Sequence, residues 1–236
     1  MHSANDQKVF DEQISYYRAR AAEYDEWYLR TGRYDRGPEF NALFVSELKA
    51  MQQELHQFKP RGKVLEFASG TGWWTEILLQ YADQITALDS SAEVLALNRQ
   101  RNGAAKVEYV QTDLFQWHPA GKYDVIFFGC WLSHVPLARF TEFWDLVRAS
   151  LSPRGRVFFI DTLGKGISRL AAWNHHQEET EEGTTLRYLN DGRSYRIVKI
   201  FYQPAELQSR LAALGWKIEV ESTANFFFFG RGGYDR

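Results

Sequence analysis

From Lys63 to Asp161 the chain alternates short apolar runs with helical stretches, and this rhythm limits it to few architectures. Val64–Phe67, Ile85–Leu88, Val107–Val110, Tyr123–Phe128 and Arg156–Asp161 read as strands. Trp73–Tyr81, Ala92–Gln100 and Leu137–Leu151 read as the helices between them. Strand–helix alternation predicts a mostly parallel, doubly wound α/β sheet covered on both faces. Trp216–Glu221 and Asn225–Phe229 bring the strands to seven, and the four aromatics Phe226–Phe229 suit a strand buried on both sides. A chain of 236 residues, 44% hydrophobic, has enough apolar surface for such a core.

The flanks break the rhythm. Residues 6–29 carry apolar positions at three- and four-residue steps, predicting a helix; Thr31–Pro38 is a loop, and Phe40–Leu55 is helical again. The expected organisation is a single domain over 1–236, with a helical extension over 1–60 and an α/β core over 63–161. An inserted segment follows over 162–202, and the last helix and strands occupy 203–236. Within the insertion a polar stretch with the acidic run Glu178–Glu182 precedes a hairpin around Asn190-Asp191-Gly192, which favours a three-residue loop with Gly192 left-handed. Formal net charge is −2, without the basic excess of a nucleic-acid binder. No apolar run is long enough to span a membrane, the first thirty residues lack a signal-peptide core, and Cys130 is the only cysteine. The expectation is a cytoplasmic protein without disulfides, membrane or nucleic-acid partners, its oligomeric state open and a homodimer among the possibilities.

The turn after the first core strand, V64-L-E-F-A-S-G-T-G-W-W-T75, is the densest signal. A strand, an acid, a small-residue turn and a helix make a nucleotide site at the carboxyl end of a parallel sheet. A β-carbon on Gly70 or Gly72 would push a ligand off the backbone. The second strand ends at Asp89, where an acid accepts ribose hydroxyls. A dinucleotide needs a third glycine for its pyrophosphate, and Trp73 stands there instead. Glu66 would repel a polyanion and suits a sulfonium ligand, so S-adenosylmethionine is favoured.

On these residues the chain resembles the class I S-adenosylmethionine-dependent methyltransferases, over roughly Lys63–Phe229 and with the motifs in the family's order. The resemblance implies a Rossmann-like fold, S-adenosylmethionine as methyl donor and S-adenosyl-L-homocysteine as product. Glu66–Gly72 resembles the first motif, with Ala68 where glycine is usual, and implies that Glu66, Ala68, Gly70 and Gly72 line the methionine end. Ala87–Ser90 resembles the ribose site, implicating Asp89 and Ser90. Gln111–Phe115 resembles the adenine-contacting segment, with Asp113, Leu114 and Phe115 framing the base. Tyr123–Phe128 is similar to the strand that leads, through Gly129, to the transfer site, and Leu151–Val157 to the turn into the fifth strand. Tyr16–Asp25 resembles the lid helix of small-molecule members, which places Tyr17 and Tyr24 over the cofactor; Trp74 is a further wall. Asp191–Lys199 and Trp131–Pro136 are similar to segments of a phosphonate O-methyltransferase subgroup.

The acceptor then decides which side chains matter. A neutral hydroxyl or amine calls for a general base, and His134, after the fourth strand, is the candidate. An anionic oxygen needs only cations. A three-residue loop pairs Arg187 with Tyr195 and puts Arg187, Tyr195 and Lys199 on one hairpin face, with Arg196 opposite. Arg187 and Lys199 are the expected anchors for a small anionic acceptor, phosphonate or carboxylate, with Tyr28 adding a hydroxyl. A solvated hairpin paired with Glu178–Glu182 is the bland alternative, and a cofactor-binding regulator without chemistry is the non-enzymatic one. Cys130 reads as a small buried residue; His175 and His176, being adjacent, lack the spacing of a metal pair.

Overall fold

The computed structural model describes residues 4–164, 178–179 and 183–234. The alternating segments form strands β1 (Gly62–Phe67), β2 (Ala82–Asp89), β3 (Val107–Gln111), β4 (Tyr123–Gly129) and β5 (Leu151–Thr162). With β9 (Trp216–Ser222) and β10 (Phe227–Tyr234) they make a seven-stranded sheet in the order β3-β2-β1-β4-β5-β10-β9. The first five run parallel, while β10 is antiparallel to both neighbours. Strand order reverses between β1 and β4, so their carboxyl ends open a crevice at the switch point.

Period two sorts the strand side chains into two cores. Leu65, Phe67, Ile126, Phe128 and Phe159 pack on α6 (Phe140–Ser150) and α7 (Pro204–Ala213). Val64, Ile85, Phe127, Phe158 and Ile160 pack on α3 (Pro38–Phe58) and the short α4 (Thr75–Leu78). Adjacent phenylalanines therefore face opposite layers: Phe128 stacks on Phe159 at 5.2 Å and Phe127 on Phe158 at 6.3 Å. Phe226–Phe229 are buried throughout, as their run requires.

Three boundaries differ from the periodicity. The helix expected over 6–29 divides into α1 (Ala4–Ala19), a 3₁₀ turn over Ala21–Glu23 and α2 (Glu26–Leu29). No glycine or proline marks the break; tertiary contacts impose it, because Asp25 turns out to pair with Arg101 and Thr71 while Tyr28 turns in. The helix expected over 73–81 keeps one regular turn before β2 begins at Ala82. The expected turn over 151–157 is an irregularity inside β5, where pairing jumps from Tyr123–Leu151 to Val125–Arg156.

The insertion carries β6 (Glu178–Glu179), β7 (Thr184–Tyr188) and β8 (Ser194–Val198) as a small antiparallel sheet. Arg187 pairs with Tyr195, Leu189 N–H donates to Arg193 O at 2.8 Å, and Gly192 has φ +87°, which is the three-residue loop. His175, His176 and residues 180–182 of the acidic run lie outside the described residues. α1 lies along β8: Gln13 Oε1 accepts from Val198 N at 3.1 Å, and its Nε2 donates to His134 O at 3.3 Å. α5 (Ala92–Asn102) is capped by the Ser91 hydroxyl, which accepts from Val94 N. No described helix is long and apolar enough to cross a membrane.

Candidate active site

Two cavities meet over the carboxyl ends of the parallel strands. The first has about 610 Å³ of empty space, open solvent at its mouth included. Tyr17, Tyr24, Ala68, Asp89, Ser90, Asp113, Leu114 and Gly129 line it, all expected from sequence, together with Phe10, Gln13, Ile14, Val94 and Trp131. Asp89 sits at the end of β2, where Gly70 N donates to its Oδ2 and Ser91 N to its Oδ1, each at 3.0 Å. Burial pushes this carboxyl up to about 6 against those hydrogen bonds. Ala68 accepts a left-handed φ of +50° where glycine would be relaxed, at a cost of about 1–3 kcal/mol.

The other expected cofactor residues stand behind this wall. Glu66 is 1% exposed and accepts from Thr75 Oγ1 at 2.6 Å. Burial raises its carboxyl to about 8, with Asp89 adding to the rise, so the neutral acid prevails at pH 7. The repulsion of polyanions assigned to Glu66 from sequence therefore loses its charge. Gly70 does meet the site: a Cβ there would come within 3.0 Å of Tyr24 Oη, so glycine lets Tyr24 close on the turn. Gly72 serves packing instead, since a Cβ would strike the side chains of Asn98 and Asn102 on α5. Trp74 is core: its Nε1 donates to Tyr28 Oη at 3.1 Å and its indole abuts Gly129. Phe115 lies outside the cavity wall, with the Arg139 guanidinium 3.4 Å from its ring centre.

The second cavity holds about 620 Å³ and shares Tyr17, Tyr24, Cys130 and His134 with the first. Tyr28, His134, Arg187 and Lys199, the four residues expected to serve the acceptor, all line it. Arg20, Tyr16, Tyr34 and Thr162 line it as well and were not foreseen. Among the described residues no Asp or Glu lines it. Tyr16, Arg20 and Tyr24 repeat at four-residue steps within the lid segment, a signal the sequence did carry; Tyr34 sits in a loop with no period. The Arg20 guanidinium is buried among the rings of Tyr16, Tyr24 and Tyr34, with Nε lacking a hydrogen-bond partner. Lys199 Nζ donates to Ser133 Oγ at 2.8 Å and Thr162 Oγ1 at 2.9 Å, leaving a third proton.

His134 has both ring nitrogens engaged. Nδ1 donates to Val198 O at 2.7 Å, which fixes the tautomer, and Nε2 accepts from Tyr17 Oη at 2.9 Å. Burial first, and then Lys199, hold its pKa well below the ordinary range, so the ring is neutral at pH 7.

Residues 64–155 match a family described as a methyltransferase domain. No curated protein matches the sequence. Among solved structures, the complex of DhpI with SAH is 40% identical, covers 97% of this chain and 98% of its own, and superposes with a TM-score of 0.78. The chain belongs to the class I S-adenosylmethionine-dependent methyltransferases. A second DhpI complex, with SAM and HEP, matches at the same identity and TM-score over 98% and 99% of the two chains. The fold is shared at 16% identity by the 1,6-didemethyltoxoflavin-N1-methyltransferase of Burkholderia thailandensis, solved with 1,6-didemethyltoxoflavin and S-adenosylhomocysteine (TM-score 0.62; 100% and 92% covered). S-adenosylmethionine is the cofactor of this methyltransferase. The first cavity fits it: the buried Asp89 carboxyl can accept from a vicinal diol, and the Asp113 carboxyl in the same lining can accept from an amino group.

Proposed function

We propose that this methyltransferase moves the methyl group to an oxygen of a small anionic acceptor, a phosphonate or a carboxylate. The lining of the second cavity supports it: Arg20, Arg187 and Lys199 converge there, beside the four residues shared with the cofactor cavity. Arg20 and Lys199 are buried there, with Asp161 3.7 Å from Lys199 Nζ, and burying charge is costly without opposite charge, which an anionic acceptor adds. In the first cavity Asp89 takes the ribose hydroxyls, Asp113 the adenine amino group, and Leu114 flanks the base. Tyr17 and Tyr24, from the helical lid over 1–60, close over the cofactor, while the hairpin of 162–202 closes the acceptor side.

When bound, S-adenosylmethionine supplies an electrophilic methyl group on a sulfonium sulphur. Arg187 offers a bidentate fork and Lys199 a point charge, so an oxyanion is held by two of its oxygens. Tyr28 adds a phenol hydroxyl that its own neighbour Trp74 orients. An oxyanion needs no deprotonation, and the chain's main contribution is to hold acceptor and donor aligned, worth up to about 7–11 kcal/mol of barrier. The His134 geometry agrees. A neutral ring whose Nε2 already accepts from Tyr17 is a poor proton acceptor and a good spacer between the cavities.

Substitution kinetics separate this from base-assisted transfer to a neutral hydroxyl or amine. Arg187→Ala or Lys199→Ala should raise KM for an anionic acceptor about tenfold or more, with SAH affinity unchanged. His134→Ala should keep turnover within about tenfold of wild type, less than the loss typical of a general base. Turnover abolished in His134→Ala, with KM unmoved in the other two, would overturn the proposal.

A further inference from the structure

Asp161 stands at the carboxyl end of β5, wholly buried and outside both cavity linings. Its Oδ2 accepts from Ser133 N at 2.8 Å and its Oδ1 from Thr162 N at 2.7 Å. The hydroxyls of those same two residues accept from Lys199 Nζ, and Oδ1 lies 3.7 Å from that nitrogen. One carboxylate thus fixes the backbone of the two residues whose side chains hold the ammonium, and also supplies its counter-charge. Ser133 O accepts from Ile200 N at 2.8 Å, so the bracket is tied to the chain leaving β8.

We propose that Asp161 is a positioning residue for methyl transfer: through Ser133 and Thr162 it aims Lys199 Nζ into the acceptor cavity and keeps that nitrogen protonated. The assignment rests on Lys199 being an acceptor anchor, as proposed above. The charges around Nζ make a counter-ion necessary. Arg187 on β7, Arg20 just after α1 and the His134 ring line the same cavity, and the Cys130 thiol faces it from the end of β4. Two of these are cations, and the thiol is held protonated by burial and by Asp161 itself. Burial favours the neutral amine, and Asp161 opposes it most strongly. Lysines buried without such a partner titrate at about 5–6, which would leave a neutral donor at working pH.

The test is calorimetric affinity for methylphosphonate at saturating SAH, from pH 6 to 10.5, expressed as a ratio to Lys199→Arg, whose guanidinium does not titrate there. In wild type the ratio should hold through neutral pH and fall on the alkaline side. In Asp161→Asn the fall should move down by at least one pH unit, with SAH affinity unchanged, and it should vanish in Asp161→Asn/Lys199→Arg. A fall at the same pH in Asp161→Asn and wild type would overturn the assignment. If Asp161→Asn does not fold, wild type decides alone: affinity kept through neutral pH and lost only on the alkaline side supports the assignment, and affinity already lost at neutral pH means that no counter-charge protects the lysine. Unchanged methylphosphonate affinity in Lys199→Ala would remove the anchor and this inference together, whereas an affected Lys199→Ala with an unmoved Asp161→Asn profile removes only the inference.

Discussion

Asp89 and Glu66 are two carboxyls on neighbouring strands, both raised by burial, to about 6 and about 8. A folded pKa above the unfolded value means that the native state binds more protons between the two. Their contribution to stability is therefore full below about pH 4 and declines as pH rises, through about 6 for Asp89 and about 8 for Glu66. Glu66→Gln should flatten the fall in cofactor-free Tm between pH 5 and 8; an unchanged slope would show that Glu66 is not the titrating group. With Asp89 as the proposed ribose acceptor, the hydroxyls would donate to its ionised form, so S-adenosylmethionine affinity should rise with pH through about 6 and then level. Calorimetry in buffers of different ionisation enthalpy should register proton release below pH 6 and none above 7. Spacing in the sequence pointed to Asp89, which lines the first cavity, and to Arg187 and Lys199, which line the second. Glu66 and Gly72 carried the right residue types, yet their side chains and space face α4 and α5, which only packing decides.

Among elements, α1 is the shared wall. It brings Tyr17 to both cavities and Arg20 follows it into the second, while Gln13 binds the hairpin and the loop after β4 at once. Gln13→Ala strands Val198 N–H and His134 C=O, both buried, and should lower the unfolding free energy by about 1–3 kcal/mol in denaturant titration. The turn at Asp25 is clasped differently, by Arg101 across a partly exposed ion pair and by Thr71 in the glycine turn. Arg101→Ala should lower stability by no more than about 1 kcal/mol and speed SAH dissociation severalfold in stopped flow. Strand periodicity and the turn chemistry of Asn190–Gly192 foretold the sheet and the hairpin register. The break after α1 and the one-turn α4 have no such local signal, whereas the irregularity within β5 falls where Pro153 and Gly155 announce a turn.

For the molecule as a whole, a formal charge of −2 hides an uneven distribution, with three cations gathered where the lid, the switch point and the hairpin converge. The doubly wound sheet places the cofactor crevice; the two additions, one before and one within the core, build the acceptor cavity over it. Because Arg20 and Lys199 are buried and Arg187 is half-buried, the account turns on what this cavity accepts. The most direct measurement is transfer of ¹³C-methyl from labelled S-adenosylmethionine to a phosphonate, a carboxylate, a phenol and an amine in parallel, with the methylated atom read by NMR. The account predicts O-methyl ester signals from the phosphonate or carboxylate and none from the other two. Label appearing on the amine or phenol, with both anions untouched, would contradict it.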